Sequence, residues 1–133
     1  GSGFANVAGV TVTPSFLSNA IGATIVNADS TCVSGQTNAS GQCTVVVSSA
    51  VVGSSTVNAS GTVSVGGVNI NVATDGYGAF TVSNVKTWVD ARISIVQSGT
   101  NKKGDPHTFT VTVEKNDGSG WSAASGVTIN STV

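Results

Sequence analysis

Methionine is absent from the 133 residues, histidine occurs once, and aromatic side chains make up only 5%. Charge is equally sparse: five Lys and Arg stand against six Asp and Glu. With so few cations the chain offers no basic patch, which excludes nucleic acid as a partner, because tracking a phosphate backbone needs clustered Lys and Arg. The strong helix builders Leu, Met, Lys and Glu are scarce, so long helices are not expected. No apolar run approaches the ~20 residues that a helix needs to cross a bilayer, and no membrane span is predicted. The chain opens on Gly rather than Met with no leader pattern behind it, which reads as a processed or excerpted sequence.

What is present is Val, Thr, Ser, Ala, Gly and Asn. Val and Thr are β-branched and suit a half-buried pleated surface, so the fold is expected to be all-β. The length fits one domain's worth of core. Apolar residues alternate at Val10 and Val12, with Pro14 expected to interrupt or end that strand. Ala23 to Val26 is a short second strand, and the unbroken run Thr44-Val45-Val46-Val47 suggests a central strand buried on both faces. The sharpest local expectation surrounds Gly66-Gly67. A two-residue turn there pairs Val65 with Val68 and Val63 with Ile70, placing the apolar side chains on one face and Ser64, Asn69 and Asn71 on the other. Residues 79–87 read as a connector, and a new strand is expected from Trp88. Asn101-Lys102-Lys103-Gly104-Asp105-Pro106 and Asn116-Asp117-Gly118-Ser119-Gly120 are turn clusters on either side of an alternating strand through Phe109, Val111 and Val113. Eight or nine short strands at regular spacing are the pattern of a β-sandwich.

Cys32 and Cys43 are the only cysteines, and a polar ten-residue stretch separates them. A disulfide across it contributes roughly 2–3 kcal/mol in the chain-entropy model. The spacing is not the C-x2-C of a metal site and the single histidine is remote, so the disulfide is favoured over a metal pair. It implies an oxidising, extracytoplasmic compartment.

The chain also restarts. Gly1-Ser2-Gly3-Phe4 and Gly9-Val10-Thr11-Val12 recur as Gly118-Ser119-Gly120-Trp121 and Gly126-Val127-Thr128-Ile129, both offset by 117 residues. A period of that size is a domain rather than a small solenoid unit. The sequence is thus expected to be a window on a tandem array, or a subunit that joins to copies of itself, with neither end structurally complete without a neighbour.

Two stretches resemble the bacterial immunoglobulin-like repeats of the invasin and intimin type. One is Gly9-Val10-Thr11-Val12. The other is Thr37-Asn38-Ala39-Ser40-Gly41-Gln42-Cys43-Thr44-Val45-Val46-Val47, followed by Thr56-Val57-Asn58-Ala59. His107-Thr108-Phe109-Thr110-Val111-Thr112-Val113 looks like an early strand of that family. The resemblance implies an immunoglobulin-like β-sandwich, but in a rearranged order. Residues 1–80 would carry the later strands of one repeat, 81–87 a connector, and 88–133 the first strands of the next. The sandwich would then be split between successive repeats or completed by strands from a neighbouring copy. Unpaired edges of that kind need partners.

No catalytic constellation is visible. His107 has no nucleophile and orienting acid in a recognisable motif, and its scattered aspartates form no calcium loop. No enzyme activity, cofactor or metal is predicted. Lys115 shares strand parity with Val113 and is read as a solvated strand-end lysine. The sequons at Asn38, Asn58 and Asn130 are of a number expected by chance in so Asn- and Ser-rich a chain. Trp88, Asp90 and Trp121 lie near connectors or hairpin ends and are candidates for contact between repeats. The resulting expectation is a structural repeat unit of an extracellular bacterial surface fibre or adhesin stalk, whose partners are copies of itself. Two alternatives stand beside it. One is a self-polymerising pilus-like subunit. The other is a carbohydrate- or receptor-binding module that uses its aromatic residues against glycans or proteins of a host or cell surface.

Overall fold

The computed structural model describes residues 3–75 and 82–132. Its elements run in the order β1 (Val12–Ser18), β2 (Thr24–Ile25), a 3-10 turn (Asn27–Asp29), α1 (Thr31–Ser34), β3 (Val47–Ser48), β4 (Gly53–Val65), β5 (Val68–Ala73), β6 (Asn84–Trp88), β7 (Asp90–Val96), β8 (Thr110–Asn116) and β9 (Trp121–Ala123). The fold is mostly β, in three antiparallel sheets, and its architecture is sandwich-like.

The thirteen-residue β4 is the spine of the first sheet. β1 pairs along one side of it, from Val12 opposite Gly61 to Ser18 opposite Thr56. The other side is shared: β5 pairs with residues 60–65 and β6 with residues 53–57. The Gly66-Gly67 turn forms as its residues require. Both glycines have positive φ, 58° and 82°, which matches the twist of a two-residue hairpin. Val65 faces Val68 and Val63 faces Ile70, in the register expected from the alternation.

Three expectations need correction. Pro14 does not end its strand; it sits inside β1 opposite Ala59. β1 has a partner on one side only, so a residue without an N–H costs no ladder bond on the open edge. The run Thr44–Val47 is not a central strand. Only Val47 and Ser48 are in β3, which pairs with β2 alone, because the preceding residues are tied to the α1 turn instead. The segment read as a connector, 81–87, is strand from Asn84 onward, with Ser54 and Thr87 hydroxyls 2.8 Å apart across the β4–β6 pair. The strand expected to start at Trp88 is thus divided. Trp88 closes β6 and Asp90 opens β7 in a different sheet. Gly76-Tyr77-Gly78 lies outside the described residues.

A small arm packs against one end of the first sheet. Asn19 organises it: its Oδ1 accepts the Ala23 N–H and the Ser55 hydroxyl, both at 2.7 Å, while its Nδ2 donates to the Ala23 carbonyl. Ala23 and Ser55 are buried as a result. Ser30, fully buried, does the same for the next turn. Its Oγ donates to the Val26 carbonyl at 2.8 Å and accepts the Val46 N–H at 2.9 Å. A four-residue helix such as α1 cannot sustain itself. Its neighbours hold it. The Thr44 N–H donates to Thr31 Oγ1, the Cys32 N–H donates to the Thr44 carbonyl, and Cys32 is joined to Cys43 by the expected disulfide, with Cα atoms 5.0 Å apart.

The stretch Thr37–Gly41 is a local turn device. Asn38 Oδ1 accepts the Ser40 and Gln42 N–H groups, and Gly41, at φ 71°, closes the turn. Thr37 then ties the turn to the chain's first segment: its Oγ1 donates to the Val7 carbonyl and accepts the Val10 N–H. Asn58 is likewise engaged, accepting from the Thr74 and Ser83 hydroxyls and donating to Ser15.

Candidate interaction surface

The second large sheet is β7–β8–β9. Its register sorts the side chains cleanly. Ile93 is opposite Val113 and Ile95 opposite Val111, while Arg92 is opposite Glu114 and Ser94 opposite Thr112. Strand alternation therefore gives one face built from Ala91, Ile93, Ile95, Val111 and Val113 and a second face that is largely polar. An apolar face of this kind normally packs on another sheet. Here it does not: Ile93 and Ile95 are 63% and 64% exposed, and Phe109 and Val111 are exposed beside them. The first sheet presents a matching surface. Its Asn19 end is covered by the arm, but Val65, Val68 and Ile70 at the hairpin end are open.

On the polar face the Arg92 Nε donates to Glu114 Oε2 at 2.7 Å, and its guanidinium lies 4.2 Å from the centroid of the Trp121 ring. The Arg92 hydrogen bond holds the Glu114 carboxyl below its ordinary range, and the same bond raises Arg92. Arg92 is exposed and Glu114 half-buried, so the pair contributes little to stability and serves more to orient Trp121. Turn chemistry fixes the β8–β9 connection. Asn116 Oδ1 accepts the Gly118 and Gly120 N–H groups. Asp117 accepts the Ser119 hydroxyl and N–H, which lowers its pKa. Gly118 abuts Gly53 of β4: a Cβ at Gly118 would stand 2.9 Å from the Gly53 Cα, closer than real side chains approach. Gly53 in turn lies against Ile21, where an added Cβ would stand 2.7 Å from Cγ2. The two sheets thus touch through backbone at a corner rather than through their apolar faces.

Of the residues singled out from sequence, Asp90 and Trp121 come together. They pair with Asn116 from its two sides, Asp90 on β7 and Trp121 on β9. Trp88 is on the first sheet, opposite Gly53 and half-buried, with the Lys86 Nζ 5.9 Å from its ring. His107 is exposed and caps the 97–107 loop through Asn101 Oδ1 and the Gln97 carbonyl, with Phe109 edge-on to its ring at 4.8 Å. Lys115 is exposed at the Ala91 end of the apolar face. Among the described residues no group of three or more His, Cys, Asp or Glu is placed to hold a metal ion, and no helix is long and apolar enough to cross a membrane. Sequence reasoning overlooked the Ile93–Val113 and Arg92–Glu114 pairs. Their signal was present in the alternation of 91–95 against 111–115, but only the register makes them neighbours.

The repeat has a structural counterpart. Gly9 and Gly126 have φ of 76° and 73°, and Gly3 and Gly120 have φ of 89° and 111°. Their surroundings differ in a complementary way. Trp121 rests on β8 beneath Arg92 and is 38% exposed, whereas Phe4, at the equivalent position, is 101% exposed. Val12 pairs with Gly61 of β4 and is half-buried, whereas its counterpart Ile129 is exposed and in no strand. No family model matches the chain, and no curated protein or solved structure gives a match.

Proposed function

We propose that this chain is a structural repeat unit of an extracellular bacterial surface fibre or adhesin stalk, that it has no catalytic role, and that it is built on immunoglobulin-like repeats similar to those of invasins and intimins. The observation that carries this reading is the 117-residue restart, whose two copies share positive-φ glycines, Gly3 with Gly120 and Gly9 with Gly126. The Cys32–Cys43 disulfide supports an oxidising location, and a surface of Ser, Thr and Asn with little charge suits an extended stalk. The work of such a module is mechanical: it spaces and stiffens.

The test is made on the native gene product. An antibody raised against the chain, applied to intact cells, should label their surface. Limited proteolysis of the labelled material should give a ladder whose rungs are separated by one 117-residue period. A single band of the size of this chain, found inside the cell, would overturn the reading.

A further inference from the structure

The loop that joins β7 to β8 is wrapped around a single imidazole ring. We propose that His107 is held in this loop as the doubly protonated imidazolium, and that the loop is a pH-sensitive clasp, closed when the ring is charged and slack when it is neutral. This goes beyond the repeat reading above and does not depend on it.

The geometry around the ring carries the proposal. Nε2 meets the Gln97 carbonyl oxygen, and Nδ1 lies 3.1 Å from Asn101 Oδ1. A carbonyl oxygen only accepts, so each ring nitrogen must donate, and a neutral imidazole has a single N–H. A turned amide could offer Nδ2 to a neutral ring instead, but Asn101 is not free to turn. Its Nδ2 donates to the Pro106 carbonyl at 2.8 Å, and turning it would set Oδ1 against that carbonyl oxygen. The network of partners therefore selects the cation. Gly99 closes the cradle from a third side. A Cβ there would stand 2.7 Å from the ring's Cε1, so backbone and ring fit together only because residue 99 has no side chain. Phe109 stands edge-on at 4.8 Å.

The loop's backbone depends on the same ring. Among the described residues, Gln97, at φ 86°, is the one non-glycine with positive φ. Such a conformation persists only where its surroundings fix it, and His107 Nε2 holds the Gln97 carbonyl. The loop tip holds itself: the Asp105 N–H donates to the Lys102 carbonyl at 3.0 Å across Gly104, at φ 94°. A self-contained turn is thus tied to the end of β7 through the ring. When the ring gives up a proton, one nitrogen is left facing an oxygen lone pair to lone pair, and one of the two ties is lost. Both ties are present at low pH, and one goes as the pH rises through the range in which histidine changes charge. The loop's own charged side chains, Lys102, Lys103 and Asp105, are exposed, and among the described residues none forms an ion pair with the ring. On the strands, Asp90, Arg92, Glu114 and Lys115 stand at the opposite end of the β7–β8 pair from Val96 and Thr110, where the loop begins and ends.

Nuclear magnetic resonance of the isotope-labelled full chain tests this. At about pH 5 the amides of residues 99–104 should have order parameters near about 0.85, level with β7 and β8; at about pH 8 they should fall below about 0.6 while the strands stay unchanged. Both ring N–H protons of His107 should be visible at the lower pH, because hydrogen bonds protect them from exchange with water. Asn101→Ala should lose the Nδ1 proton signal, keep that of Nε2, and slacken the loop at the lower pH. Gly99→Ala should loosen the clasp with every hydrogen-bonding residue still in place, by pushing the ring from its cradle. His107→Gln carries no titrating group at this position, and its loop should be slack at both pH values. A loop equally ordered at both pH values, a pH-dependent change that persists in His107→Gln, or an Nδ1 proton that exchanges freely at the lower pH would overturn the inference.

Discussion

Removing the disulfide should lower thermal stability by an amount that can be worked out from the chain. Cys32 and Cys43 are 11 residues apart in sequence, and a loop of that length loses about 3 kcal/mol of unfolded-state entropy stabilisation when opened. Unfolding entropy of about 2.1 cal/mol/K per residue gives roughly 280 cal/mol/K for a chain of this length, so the midpoint should fall by about 10 °C. The loss has a structural focus. Cys32 is 4% exposed, and the bond pins a single helical turn that is otherwise held by Thr31, Thr44 and Ser30. The experiment is a thermal melt of the Cys32→Ser, Cys43→Ser chain, followed by circular dichroism, beside the wild type with and without reductant. The reduced wild type and the double variant should melt together, about 10 °C below the oxidised protein. A shift under about 2 °C would refute the reasoning, because it would mean that hydrogen bonds alone hold the arm and that the cross-link adds nothing.

Ser30→Ala should cost about 1–3 kcal/mol, since it removes a fully buried hydroxyl that donates to the Val26 carbonyl and accepts the Val46 N–H; the shift in urea midpoint measures it. Acid should destabilise the second sheet. Glu114 and Asp117 have lowered carboxyl pKa values in the folded chain, so their contribution is complete above the ordinary values of 4.5 and 3.8 and drains away as pH falls through the lower folded values. Acid titration of the Glu114→Gln, Asp117→Asn chain should show a shallower loss than wild type, and added salt should narrow the difference because Asp117 is exposed and Glu114 only half-buried.

Some of the fold was legible because it depends on neighbours in sequence. The Gly66-Gly67 hairpin follows from two residues that tolerate positive φ between two alternating runs, and the two-residue turn itself sets the register. The Asn116–Gly120 turn is similar, since Asn116 bonds its own following backbone. Pro14 and Thr44–Val47 were misread for the opposite reason. Whether proline is tolerated depends on whether β1 has a second neighbour, and an apolar run is strand only if a partner strand is in reach. In 44–46 the backbone is claimed by Ser30, Thr31 and Cys32. The candidate surface divides in the same way. The aromatic and acidic residues at 88, 90 and 121 could be picked out one by one, but Trp88 proves to belong to another sheet, and only the register sets Asp90 and Trp121 on either side of Asn116.

By itself, the sequence determined that the chain is β, that its turns fall where glycine and asparagine cluster, that its two cysteines sit across a short loop, and that it repeats after 117 residues. These are properties of local backbone preference, alternation and spacing, which need no knowledge of what lies opposite. The tertiary structure decided which strands share a sheet, that the chain passes from one sheet to the other at Val89, and that, among the described residues, two apolar faces remain open while Gly118 lies against Gly53. Burial is a relation between distant residues, fixed only once the strands have chosen partners. The same alternation of Ile93 and Ile95 is compatible with a covered core or an open face.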